Sequence, residues 1–373
     1  MKIREIRLYS VDVPFGDTPY KMDAQTSISL ITGTIVAIET DEGLTGWGEM
    51  TPWGNTYLPE FTEGVRAALH VICSHLIGLD PLNVASIYRT MDSVLYGHGY
   101  AKSAVDMACW DLLGKASGLP LHSIFGGKLV SAAPLNCAVY NGSYEDMAER
   151  ISTYRGQGIR IFSTKPGGDA DRDIRLYSQI AAQRRDGETY IADANRTWSV
   201  ATAVRVGRNL EQYGFFNLEQ PCNSYDECLS VRRGTRITTA LDESLVTLDD
   251  LSRMYRDGAA EIAHIKLSRV GGLSKALLIR NFCEATGLLV SWATSGGTEI
   301  CDAAATHLAC STSEKTLFGL WSCREFNTDV FATGGPEIKN GCASVSDLPG
   351  LGVSPDLEKF GPPIAAYHGE RSK

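Results

Sequence analysis

The sequence predicts an α/β protein, a closed barrel of alternating strands and helices behind an N-terminal α+β domain. Three observations predict it. Charged residues recur at the ends of short apolar runs, from Lys165 through Asp193, Glu219 and Asp242 to Lys266, in steps of 28, 26, 23 and 24 residues. Strand-like and helix-like patterns alternate along the stretch from residue 134 to residue 321. The segment before it instead runs strands first and helices later, the pattern of an α+β unit. A step of that size holds one strand, one helix and two loops. The five charged groups therefore fall at one end of neighbouring parallel strands, which in a barrel is the active-site end.

In chain order, residues 2–13 alternate charged and apolar positions as a first strand, and 31–40 read as a second. Asp41-Glu42-Gly43 turns the chain into a third strand from Leu44 to Glu49. Apolar residues at helical spacing run through 62–78, 84–95 and 100–117, the last ending at Gly118 with Pro120 beyond. Barrel strands are then expected near 134–139, 159–165, 189–193, 215–219, 237–242, 261–266, 288–292 and 316–321. Helices are expected at 144–156, 171–185, 199–212, 224–233, 247–257, 273–286 and 300–311. An open doubly wound sheet is the competing architecture, and it would carry a glycine-rich phosphate loop after its first strand. Here that strand is followed by Tyr140-Asn141-Gly142-Ser143. The expected domains are a capping domain over 1–127, the barrel over 128–330, and a C-terminal segment, 331–373, that folds back on the capping domain.

Hydrophobic residues make up 43% and charged residues 21%, an ordinary balance for a soluble globular chain. The net charge of −9 argues against a nucleic-acid partner, which rewards dense Lys/Arg patches. No run of 18 apolar residues suggests a membrane span, and the first residues lack a signal-peptide core. None of the 10 cysteines forms a Cys-x-x-Cys pair, and most sit in apolar patterns. They read as buried free thiols in a reducing compartment, the cytoplasm, rather than as a disulfide framework or a catalytic thiol.

Asp193, Glu219 and Asp242 could each simply cap the next helix. In register at three successive strand ends, they make a site of hard oxygen ligands, suited to Mg2+. No His/Cys cluster competes for zinc. Lys266 lies in the apolar run Ile262-Ala263-His264-Ile265-Lys266, where a lysine needs a role or a partner. Its plain alternative is a structural salt bridge; for Lys165, before Pro166-Gly167-Gly168, it is a surface lysine. The functional reading makes both bases, their amine pKa values lowered by burial and by the cation. His264 shares the face of Lys266 and reads as a packed core histidine, and His98 as structural.

Together these residues resemble the enolase superfamily, in its muconate-lactonizing and mandelate-racemase-like branches. Ser163-Thr164-Lys165 stands where the family has Lys-x-Lys. Asp193-Ala194-Asn195, Glu219-Gln220-Pro221 and Asp242-Glu243-Ser244 are similar to its three metal-ligand motifs. Lys266 followed by Arg269-Val270-Gly271-Gly272 looks like its sixth-strand motif. The resemblance covers essentially the whole chain. It implies a (β/α)7β TIM-like barrel with a capping domain, one Mg2+ per active site, a small-molecule carboxylate substrate, and a homo-oligomer of two to eight copies.

It also implies a lid over the barrel mouth. Tyr20 and Asp23 fall in one lid segment, and Trp53 and Tyr57 in the loop after Gly46-Trp47-Gly48-Glu49. With Ser163, Asn195, Thr298 and Trp321 they are the candidate substrate contacts. The chain departs from the family pattern at Ser163, which replaces the first lysine, and at Gly297, where a glutamate often stands unless Glu299 moves in to fill its role.

The implied chemistry is removal of a proton next to a carboxylate through an ene-diolate, with one lysine on each side of the substrate α-carbon. Late in the barrel, acid-sugar dehydratases of the family use a His-Asp pair where this chain has Lys266. Ser163, Gly97-His98-Gly99-Tyr100-Ala101-Lys102 and Gly296-Gly297 instead look like members acting on proline derivatives. The expected reaction is dehydration of cis-3-hydroxy-L-proline or a related cyclic amino acid. Epimerisation of a derivative such as hydroxyproline betaine is the alternative, and a metal-binding scaffold without catalysis the third reading.

Overall fold

A computed structural model describes residues 1–16, 19–21, 27–325, 327 and 329–369. The N-terminal part is built on an antiparallel sheet. Its strands Ile3–Pro14, Leu30–Thr40 and Thr45–Met50 pair in sequence order, and the C-terminal strand Ala365–His368 adds to the free edge of the first. Gly43 turns the second strand into the third with a φ of 83°, in the left-handed region that favours glycine. The helix Gly99–Ser117 then lies across the third strand. A Cβ at Gly46 would sit 2.2 Å from the Ala108 carbonyl oxygen, and one at Gly48 1.9 Å from that of Ala104. The Gly-Trp-Gly sequence thus lets helix and sheet backbones approach more closely than any side chain permits. That helix is buried on nearly all sides, which explains its weak amphipathic pattern.

The second part is a barrel of eight parallel strands. They are Asn136–Val139, Ile161–Thr164, Thr189–Asp193, Phe216–Glu219, Thr238–Leu241, Ile262–Lys266, Leu289–Ala293 and Leu317–Trp321, called here the first to the eighth strand. Each pairs with its sequence neighbour, and a parallel bridge between Leu135 and Leu320 closes the ring. Every expected strand and helix is present, with ends shifted by a few residues. The helix starts follow the local chemistry: Ser143, Asp169, Ser199, Ser224 and Thr247 each accept a hydrogen bond from the first turn of the helix they precede.

Strand alternation decides what faces the barrel axis. In the sixth strand His264 and Lys266 share one face, while Ala263 and Ile265 are buried on the other. Register then sets the height of each group. Glu219 stands beside Asp193, and Lys266 stands level with Ala293 and Trp321. All 10 cysteines are free and nine are buried, as thiols in apolar packing should be. No helix among the described residues is long and apolar enough to cross a membrane.

Candidate active site

The barrel mouth holds a cavity of about 70 Å³. Lys165, Asp193, Glu219, Asp242 and Lys266 all line it. So do Tyr20, Trp53, Tyr57, Ser163, Asn195 and Trp321 from the expected lid and substrate contacts. Asp23 lies outside the described residues.

Thr298 is elsewhere. It is fully buried, and both its backbone N–H and its hydroxyl donate to the Glu49 carboxylate, at 2.8 and 2.7 Å. Its side chain also caps the helix Glu299–Cys310. Thr298 is therefore a joint between the capping domain and the seventh-strand loop, not a cavity wall. Glu299 is also committed: it pairs with Arg324 and accepts from the Phe331 and Ala332 amides at 3.0 and 3.1 Å. No side chain fits at Gly297 as the loop stands, since a Cβ there would lie 2.2 Å from Glu49 Oε1.

Each lysine is paired with a carboxylate. Lys165 donates to Asp193 and, at 2.6 Å, to Asn195 Oδ1. Lys266 donates to Asp242 and, at 2.9 Å, to the Tyr57 hydroxyl. Arg269 donates to the other Asp242 oxygen at 2.6 Å. Burial disfavours charge on Lys165, but Asp193 and the other anionic groups around it outweigh burial and hold the ammonium above the usual lysine range. Burial by itself therefore does not give the lowering expected of burial and the cation together. Burial likewise opposes a charged Asp242, yet Arg269 and Lys266 hold its carboxyl well below the usual range. For Glu219, burial and the charges of Asp193 and Asp242 act together and push it well above.

The donor set fits a hard divalent cation. Three carboxylates end adjacent strands, and Glu219 Oε2 is buried without a partner. With Glu243, four buried carboxylates face the three cations Lys165, Lys266 and Arg269, with Arg196 at the rim 3.7 Å from Glu243. Among the described residues no three His, Cys, Asp or Glu side chains close on one point as they stand. Asp193 and Asp242 instead each pair with a lysine, Lys165 and Lys266.

Gln220, beside Glu219, is scaffolding. Gln220, at φ 34°, accepts from the Asp242 and Ser244 amides at 3.1 and 3.2 Å and donates to Ser244 Oγ at 2.7 Å. It fixes the fifth-strand loop that aims Asp242. The lid is fixed similarly: Arg196 donates to the Tyr57 carbonyl at 2.8 Å, and Tyr57 donates to Asp242 at 3.1 Å. Trp53 packs edge-on against Tyr20 and Trp321, with ring centroids 5.0 and 5.6 Å away. Sequence reasoning missed Asn136, Thr294 and Ser295 on the wall and took His264 for core packing. His264 Nδ1 faces Glu219 Oε1 at 3.3 Å, and burial lowers its pKa to about 4. Its position two residues before Lys266 was the available signal.

The fold and this site define a barrel enzyme of the enolase type, and comparison with known proteins agrees. Residues 4–126 match the mandelate racemase/muconate lactonizing enzyme N-terminal domain, and residues 146–359 match the enolase C-terminal domain-like family. The chain is 39% identical over 367 residues to cis-3-hydroxy-L-proline dehydratase of Roseibium aggregatum, covering 98% of this chain and 100% of that one. It is 26% identical to the N-succinyl-L-Arg/Lys racemase of Bacillus cereus, covering 95% of each. A Roseovarius nubinhibens enolase-superfamily member, crystallised with magnesium, superposes with a TM-score of 0.93 at 38% identity, covering 99% of this chain and 100% of that one. The chain belongs to the mandelate racemase/muconate lactonizing enzyme group of the enolase superfamily, and it is an enzyme.

Proposed function

We propose that this enzyme removes the α-proton of a small cyclic amino acid and expels water from it, with cis-3-hydroxy-L-proline as substrate. The observation that carries the reading is the pair Lys165 and Lys266. They come from the second and sixth strands, four apart in an eight-stranded ring, and line one cavity from opposite sides. In a cis-3-hydroxyproline the hydroxyl shares a ring face with the carboxylate, so the α-hydrogen is on the other face. Anti loss of water needs a base on one face and an acid on the other. One lysine takes the α-proton; as the C2–C3 double bond forms and the C3–O bond breaks, the other gives a proton to the leaving hydroxyl. The products are water and a pyrroline carboxylate.

Asp193, Glu219 and Asp242 would hold Mg2+. When bound, it supplies the positive charge that offsets the charge developing on the substrate carboxylate. Tyr57 keeps its proton, because burial and Asp242 push its pKa up, and so orients both Asp242 and Lys266. Trp53, Tyr20 and Trp321 exclude water from the cavity and offer ring faces to a cationic ring nitrogen. Size supports a single ring as well. A water needs about 10–15 Å³ by this measure, so the cavity holds only a handful of water-sized groups.

The same lysine pair serves epimerisation, and racemases among the relatives keep that second reading. Incubation with Mg2+ in D2O, followed by NMR of the α-proton, separates the two. Loss of water to a pyrroline carboxylate is expected for cis-3-hydroxy-L-proline. Deuterium uptake with inversion and no loss of water supports the epimerase. If no proline derivative exchanges its α-proton, the lysine mechanism is wrong for this substrate class.

A further inference from the structure

Asp173 is a fully buried carboxylate that stands outside the cavity wall. It lies in the first turn of the helix Ala170–Ala182, which follows the second strand. Its Oδ1 accepts from the Gly167 amide at 2.7 Å, and its Oδ2 from the Gly168 amide at 3.1 Å. Successive backbone N–H groups turned onto one anion form a nest, a concavity of fixed positive partial charge. Oδ2 also accepts from the Trp198 indole at 3.2 Å. One side chain thus gathers three N–H groups from two loops.

Those loops are the ones that leave the cavity residues. Gly167 and Gly168 come two and three residues after Lys165, and Trp198 comes five after Asp193. The Lys165 amide still bonds the Val139 carbonyl of the first strand at 3.0 Å. Past it, side chains anchor the turn: Asn141 Nδ2 donates to the Pro166 carbonyl at 2.8 Å, and Asp173 takes the next two amides. The Trp198 amide in turn donates to the Pro221 carbonyl at 3.1 Å, two residues past Glu219. Lys165 and Asp193, at the starts of the two tied loops, are bonded to each other. We infer that Asp173 is a positioning residue. By binding the Gly167–Gly168 turn and Trp198 together, it fixes where Lys165 enters the cavity relative to Asp193 and Asn195. A carboxylate suits the task, because both of its oxygens accept, whereas an amide has one accepting oxygen. The inference rests on the proposed proton-transfer role of Lys165.

The test is the kinetics of cis-3-hydroxy-L-proline dehydration by Mg2+-loaded variants, with active sites counted by Mg2+ calorimetry. Asp173→Ala is expected to lower kcat per site about 10- to 100-fold, the cost of an ångström-scale misplacement, and to change KM far less. The loss should shrink to less than about twofold when Lys165 is already Ala, since no lysine is left there to misplace, and persist when Lys266 is Ala. Glu188 is the contrast: it is also a buried carboxylate, accepting from Arg155 at 2.6 and 2.8 Å, but it precedes the third strand at the far end of the barrel. Glu188→Gln should lower the melting temperature and leave kcat per site unchanged. Should Asp173→Ala fail to fold, Asp173→Asn, which keeps the shape and one acceptor, carries the same comparison with a smaller loss. An unchanged kcat per site in folded Asp173→Ala, or an equal loss on both lysine backgrounds, overturns the positioning role while leaving the lysine mechanism standing. Full activity in Lys165→Ala, or no turnover by the wild type, brings down the proposed reaction, and the inference falls with it.

Discussion

A lysine side chain buried in a barrel must either be neutral or find anions, and both site lysines have found them. If they are the acid and base, Lys165→Ala and Lys266→Ala each lower kcat by at least about 10²–10⁴-fold, the usual worth of a positioned proton-transfer group. Mg2+ binding, followed by calorimetry, should survive both changes, because neither lysine is a ligand. A variant with full activity removes its lysine from the mechanism. Tyr57→Phe deletes one hydroxyl that touches both Asp242 and Lys266, and is expected to cut kcat/KM about tenfold while leaving the melting temperature nearly unchanged. At this scale the three carboxylates and two lysines that line the cavity were legible in the sequence, because a charge that ends an apolar run has few structural uses. Asn136 and His264 were not, because an amide or imidazole inside a strand reads equally well as core.

At the scale of elements, one joint between the two parts of the chain is built on one carboxylate. Glu49 ends the capping sheet and receives the Thr298 amide and hydroxyl and the Cys301 amide, at 2.8, 2.7 and 3.2 Å. It thus serves the N-terminus of a helix in another part of the chain. Gly297 makes room for it, with a φ of 123° that already favours glycine. Gly297→Ala should therefore cost about 1–3 kcal/mol in a denaturant titration, as overpacking typically does. A variant as stable as the wild type means that the loop yields easily. Thr298 was misread because its hydroxyl is available by sequence, and only the fold shows that Glu49 has claimed it. The strands and helices themselves were legible: alternation, helical spacing and Ser, Thr or Asp caps all point the same way.

For the whole molecule, an ion that binds only the folded state adds stability by mass action. At a Mg2+ concentration of 100 times its Kd, the gain is about 2.7 kcal/mol. The melting temperature should rise with Mg2+ and fall back with a chelator, and no shift at millimolar Mg2+ would argue against a built site. Acid acts at a distant joint. His307 is buried between the His122 amide, which donates to its Nδ1 at 3.2 Å, and the Leu351 carbonyl, with Lys128 and Asp347 nearby. Burial lowers its pKa from 6.5 to about 3. Between those values the unfolded chain binds a proton that the folded one refuses. Its contribution is therefore intact above about pH 6.5 and is lost as pH falls, by up to about 1.4 kcal/mol per unit. His307→Gln should lose less stability than the wild type between pH 6.5 and pH 4 in matched unfolding curves; parallel curves would show that His307 does not titrate there.

The sequence by itself determined the barrel, its capping domain, the three carboxylates and the two lysines. These rest on period and spacing, which are local properties of a chain. Only the tertiary structure decided which lysine meets which carboxylate, that Glu49 leaves no room for a side chain at Gly297, and that Asn136 and His264 open onto the cavity. Those facts depend on strand register and on contacts between residues tens to hundreds of positions apart, and a linear pattern does not encode which buried polar atom finds a partner and which is left facing the cavity.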